Sequence, residues 1–286
     1  MARKRAGGGV VLFFLAVLAV IGGVAVAVWR GTGPLPDPEA CYAEVDGREV
    51  AVDPEQGQNS ALIAAIAQQR GLPARAVTIA LATAYQESKI RNIAHGDRDS
   101  IGIFQQRPSQ GWGTVEQIRD EHYAINKFYE ALEKIGDYQS LRVTEAAQKV
   151  QRSGFPEAYA DHEADARVLA SALTGYSGGD AFSCVVESTE SRGTAADVET
   201  SLTDAFGDDL DVRRGTRQDV LVDVATDKAG NREGWSVAQY LVAWAGPLKI
   251  RSVAFDGRIW QTGRDSEKGW TPSPSADADQ VKVSLG

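Results

Sequence analysis

The chain has 286 residues, 43% hydrophobic and 24% charged, a balance that supports one or two buried cores and excludes wholesale disorder. Its net charge of -9 and isoelectric point near 5.0 exclude a nucleic-acid partner. Binding a phosphate backbone needs clustered cations, and none occur beyond the extreme N-terminus.

Arg3, Lys4 and Arg5 lie in a basic tail, residues 1–9, followed by an uncharged run from Val10 to Trp29. About twenty apolar residues suffice to cross a bilayer as a helix, and positive flanks stay cytoplasmic. The expectation is a single-pass protein of the cell membrane, held through residues 10–29, with everything C-terminal to them extracytoplasmic. A cleaved signal peptide is the alternative, with Ala25 and Ala27 as its small residues; the continuation of the apolar run to Trp29 favours the anchor.

Residues 30–57 read as a linker and a small hairpin, the latter running from Tyr42 to Val52 and turning at Asp46-Gly47. From Asn59 or Ser60, Leu62, Ile63, Ile66 and Ala67 recur at helical spacing until Gly71 stops the run. Pro73 opens a second helix, Ala74 to Gln86, with few polar residues on any side, so this helix is expected to be buried nearly all round. Further helices are expected at Thr114 to Lys134, Val143 to Gln151 and Glu157 to Thr174. Residues 58–186 thus read as a mainly α domain. Residues 187–197, rich in Ser, Thr and acids, read as a linker. Residues 198–286 read as a small α+β domain, with helices over Asp197 to Phe206 and Trp235 to Ala245 and a strand over Asp219 to Ala225. A hairpin turning at Asp256-Gly257 and an edge strand at Val281 to Val283 complete it.

Cys41 and Cys184 are the only cysteines, and an exported location makes a disulfide between them the simplest use of the pair. The three histidines, His95, His122 and His162, are scattered without a Cys or acidic cluster at ligand spacing, so no metal site is expected. No nucleophile elbow and no Gly-rich phosphate loop occur, and no cofactor is implied.

Chemistry concentrates where the most apolar helix ends. Glu87 has only small residues behind it on its own helix face, Thr83 and Ala84 one turn back and Ala80 two turns back. A carboxyl at the edge of an apolar core is desolvated, which raises its pKa toward the range of a general acid. Glycosidic cleavage needs such an acid to protonate the leaving oxygen. An isolated helix-end Glu, by contrast, is usually a solvated surface charge.

Glu87-Ser88, followed at a short interval by Gly102-Ile103-Phe104-Gln105, resembles the soluble lytic transglycosylase and lysozyme-like superfamily. Gln105 through Gly113 is similar to the corresponding run in membrane-anchored, lysozyme-like proteins of actinobacteria. The resemblance covers about residues 58–183. It implies a peptidoglycan-directed, lysozyme-like α domain with Glu87 as acid/base, and with Ser88, Gln105 and Gln106 orienting carboxyl and sugar. The usual third motif, Ala-Tyr-Asn, is replaced by Lys149-Val150-Gln151-Arg152, with Gln151 in place of that Asn.

Asp97 and Asp99 are the candidates for a second carboxylate that activates water. Asp97 reads better as a turn former, and Asp99 fits either role equally. Trp112, Tyr123, Tyr129 and Tyr159 fit a sugar cleft or a core. The expected function is therefore a membrane-tethered glycosidase, of lytic transglycosylase or muramidase type, acting on the glycan strand of peptidoglycan. The alternative is a catalytically silent glycan-binding or scaffolding module of the envelope, with residues 198–286 recruiting a protein partner.

Overall fold

The Asp46-Gly47 dipeptide turns the chain as its composition demands, both residues adopting positive φ, 52° and 78°. It joins β1 (Ala40–Val45) to β2 (Arg48–Val52) in an antiparallel hairpin with Val45 opposite Arg48. The computed structural model describes Gly22, Gly23, Val26 and residues 37–152, 157–188 and 191–285. Except for Gly22, Gly23 and Val26, the stretch expected to cross the membrane lies outside the described residues. Among the described residues no helix is long and apolar enough to cross a membrane.

A third strand, β3 (Phe182–Val185), pairs antiparallel with β1 and sets Cys41 opposite Cys184. The expected disulfide joins them across a sequence separation of 143 residues. Closing a loop of that size removes about 4 to 5 kcal/mol of unfolded-chain freedom in the chain-entropy description.

The first helix, α1 (Pro54–Gln69), starts a full turn before the apolar periodicity does. Asp53 accepts from the Gln56 amide at 3.0 Å, and the Gln56 side chain returns the bond to the Asp53 amide. Gly57 lies in this first turn because a Cβ there would stand 2.8 Å from Cys41 Sγ. The second helix, α2 (Ala74–Ser88), is buried from Ala76 through Ala84 without interruption, as its composition indicates. Asp120 splits the long helix expected over 114–134 into α3 (Val115–Arg119) and α4 (Glu121–Glu133). Its backbone leaves the helical region, at ψ 115°, and its side chain caps Tyr123. Next come α5 (Val143–Gln151) and α6 (Glu163–Leu173), and α2 packs along α6.

The remaining chain forms α7 (Ala195–Phe206), α8 (Lys228–Ala243) and α9 (Ala245–Leu248). Its strands are β4 (Asp211–Arg214), β5 (Val220–Asp223), β6 (Ser252–Phe255), β7 (Arg258–Gln261), β8 (Thr271–Pro272) and β9 (Gln280–Ser284). They form a sheet in the order β4-β5-β9-β6-β7-β8. β9, expected at an edge, is a central strand, because Val281 and Val283 alternate onto the face that the helices cover and are fully buried.

The expected fold class, a mainly α lysozyme-like domain after a transmembrane helix and before a small α+β domain, is corrected accordingly. The structure is about 48% helix and 16% strand with two antiparallel sheets. One of those sheets is closed by a strand inside the segment read as α. Glu39–Gly286 forms one compact unit. α1 packs against both α7 and α8. Trp260 and Trp270 donate their indole N–H groups to the Cys184 and Phe182 carbonyls at 3.0 and 2.9 Å. Trp260 of β7 and Trp270, the residue before β8, thereby bond to the first sheet.

Candidate active site

The end of α2 is held from several sides. Lys89 and Ile90 both take positive φ, and their amides satisfy the Tyr85 and Ala84 carbonyls. Two α1 side chains then accept this turn: the Gln56 amide donates to the Lys89 carbonyl at 2.9 Å and the Asn59 amide to the Ile90 carbonyl at 2.8 Å. Ser88 Oγ donates to the Ile103 carbonyl at 2.6 Å and accepts from the Arg91 amide at 3.1 Å. These bonds strap the Gly102–Gln105 turn to the helix end. Gly102 suits that turn because it takes a φ of 78° and a Cβ would meet the Ile118 carbonyl oxygen at 2.8 Å.

Glu87 stands on this fixed helix end, half-buried. The Tyr159 hydroxyl donates to Glu87 Oε1 at 2.7 Å, and the Gln151 amide supplies a second bond. Burial, the larger effect, pushes the carboxyl above its ordinary range, and the two hydrogen bonds to the anion pull it part of the way back. The result is an acid that keeps its proton at a pH where an ordinary Glu has lost it. Gln151 Nε2 also donates to the Phe104 carbonyl at 2.7 Å. One amide therefore joins α5, the Gly102–Gln105 turn and the acid.

Gln151 also lines a cleft of about 590 Å³, together with Gln110, Trp112, Lys134, Lys149 and Arg152. This lining includes three cations. Trp112 is partly exposed there, while its carbonyl accepts from the Tyr123 hydroxyl at 3.1 Å. Tyr129 is fully buried and donates to the Ile63 carbonyl, so it belongs to the core.

The remaining candidates are occupied elsewhere. Gln106 is 1% exposed, with its amide donating to the Ala124 carbonyl at 3.0 Å, and so points into the core. Gln105, with a φ of 48°, donates to the Gly102 carbonyl at 3.2 Å and lies against Gly96. Asp99 accepts from Arg107 Nε at 2.7 Å, the Ser109 amide at 2.8 Å and Ser109 Oγ at 3.0 Å. These bonds hold its carboxyl far below the usual carboxylate range and use both of its oxygens to pin the loop. Tyr159, read from sequence only as a cleft or core aromatic, is the residue whose role sequence reasoning missed. No spacing signal connects it to Glu87, 72 positions earlier.

Among known proteins, residues 184–281 are similar to the family described as VldE, C-terminal domain. The match covers β4 to β8, the first two residues of β9, and α7 to α9, where the sequence displays no chemical motif, and by itself it assigns no activity. No curated protein matches the chain.

Proposed function

We propose that the chain is a peptidoglycan-directed glycosidase in which Glu87 is the only acid/base, with lytic transglycosylation as its reaction. The observation that carries this reading is Gln151, which bonds to the desolvated Glu87 and also lines a cationic cleft fit for an acidic glycan. In the first step Glu87 protonates the glycosidic oxygen as the bond from that oxygen to C1 breaks. The resulting Glu87 carboxylate, stabilised by Tyr159 and Gln151, then takes the proton of the same sugar's C6 hydroxyl as its oxygen bonds to C1. Glu87 ends protonated, and the sugar ends as a 1,6-anhydro ring without consuming water.

An inverting hydrolase needs a second carboxylate to activate water. Asp99, the candidate for that role, is engaged by Arg107 and Ser109, which favours the single-acid route. The disulfide fits an extracytoplasmic site of action, where such bonds persist.

Zymography on embedded cell wall tests the proposal. A clearing zone from the parent and none from Glu87→Gln is expected. Two silent proteins that both still sediment with insoluble wall material would replace the enzyme by a glycan-binding module.

A further inference from the structure

Tyr176 is a large side chain left open to solvent, 58% exposed, on a backbone that has little freedom to move. The turn that carries it is pinned to α8 along its whole length. Ser236 Oγ donates to the Leu173 carbonyl at 2.8 Å, and the Gln239 amide to the Gly178 carbonyl at 3.2 Å. Gly175, at φ 72°, lies so close to α8 that a Cβ would stand 2.1 Å from the Arg232 carbonyl oxygen, and a Cβ on Gly179 would strike the Trp235 ring. The Tyr176 and Ser177 amides both donate to the Ser171 carbonyl, closing the turn on α6. Core packing usually accounts for a rigid aromatic residue, but this one has no core around it.

The surroundings of the ring indicate what it meets. The Arg232 guanidinium lies 4.7 Å from its centroid. Tyr176 stands between two adjoining clefts and lines both, one of about 440 Å³ and the other of about 550 Å³. The first is also lined by Gln68 and Glu233, whose side chains are hydrogen-bonded to each other, and burial pushes the Glu233 carboxyl above its ordinary range. In the second, two of the three lining arginines are paired with carboxylates, Arg167 with Glu163 and Arg48 with Asp165 at 2.7 Å, while Arg75 donates to the Leu141 carbonyl. An exposed flat ring shared by two clefts, with amide, carboxyl and guanidinium groups in their walls, is the combination that binds a linear sugar chain. The C–H face of a sugar ring packs on an aromatic ring while its hydroxyls reach polar groups.

We propose that the groove across Tyr176 is a second, non-catalytic subsite for a linear oligosaccharide, with the Tyr176 ring as platform and Gln68 with Glu233 as hydrogen-bonding groups. The identity of its ligand rests on the glycan-directed reading given above. Ala74, which lines both clefts, begins the helix that ends next to Glu87. Thirteen residues at helical rise put the two sites about 20 Å apart. The subsite would hold a part of the glycan well away from the bond being cleaved.

The test uses the full chain in the Glu87→Gln form, which cannot consume the probe, and an N-acetylglucosamine tetramer as the probe. Amide hydrogen exchange reports where the tetramer binds, and calorimetry reports how tightly. Protection of residues 173–179 and 228–234 is expected, together with a roughly tenfold loss of affinity for that site in Tyr176→Ala and near-parental binding in Tyr176→Phe. Tyr176 is exposed, so its replacement leaves the fold intact, and an unchanged melting temperature verifies this. No protection of these segments, or equal affinity in Tyr176→Ala, overturns the subsite even if the parent clears cell wall. Tyr176-dependent protection in a chain that never clears cell wall keeps the subsite and removes the catalytic reading.

Discussion

Replacing Tyr159 by Phe isolates the hydrogen bond on which the tuning of Glu87 depends. The ring stays buried while the 2.7 Å bond from the hydroxyl to Glu87 Oε1 is lost. That bond favours the carboxylate, so its removal raises the Glu87 pKa further. A hydrogen bond to a charged group contributes about 1.5 to 3 kcal/mol, and about 1.4 kcal/mol corresponds to one pKa unit. Because Glu87 is only half-buried, solvent screening reduces the expected shift to about one unit. Activity requires protonated Glu87 in the first step, so the limb on which activity falls with rising pH moves up by about one unit. The second step needs the carboxylate, now less stabilised, and the maximal rate falls. Clearing of a cell-wall suspension, followed across pH for parent and variant at matched folding, measures both effects. A high-pH limb that stays in place or moves down would refute the assignment of Glu87 as the acid tuned by Tyr159.

Three further outcomes are expected. The folded-state pKa of Glu87 lies above its unfolded value, so its contribution to stability is intact below the unfolded pKa and is lost as pH rises through the folded one. Glu87→Gln is therefore expected to melt above the parent at neutral pH, with the gap closing toward about pH 4; calorimetric scans at both pH values that showed the same gap would contradict this. Asp99→Asn is expected to keep cleavage within a few-fold of the parent while loosening the 97–110 loop to limited proteolysis, since its oxygens serve Arg107 and Ser109. A loss of two orders of magnitude in rate would instead make Asp99 the base of a hydrolase. Cys41→Ser with Cys184→Ser is expected to lower unfolding free energy by about 4 to 5 kcal/mol in urea titration, and a change under 1 kcal/mol would mean that the reduced chain is already constrained.

The local features of the fold were legible in the sequence, and the long-range ones were not. Asp46-Gly47 and Asp256-Gly257 specify their turns because few other dipeptides reach positive φ at both positions. The α2 helix announced its burial by lacking a polar face. Asp120 was harder to recognise as a break, since the apolar spacing runs on across it and only the side-chain cap divides the two helices. β3, four residues long, gains its place from pairing with β1 across most of the helical region, which no local pattern encodes. The same holds for the second half of the chain. The Ser- and acid-rich stretch near residue 190 reads as a separator, yet Trp260 and Trp270 reach carbonyls on β3.

At the site, Glu87 and Gln151, singled out separately in the sequence, are hydrogen-bonded to each other. Orientation was what the sequence withheld: Gln105, Gln106 and Ser88 each direct their polar atoms to a nearby backbone carbonyl. A side chain near a buried turn satisfies the carbonyls left unpaired there before it serves a ligand. Tyr159 shows the opposite case, a buried aromatic residue whose hydroxyl reaches the one acid that needs it.

Product analysis tests the central claim most directly. Purified peptidoglycan is digested with the parent chain and with Glu87→Gln, and the released fragments are identified by mass spectrometry. The account expects fragments ending in 1,6-anhydro sugar from the parent and none from the variant. Reducing ends from the parent, or the same fragments from Glu87→Gln, would contradict a single acid working through Glu87.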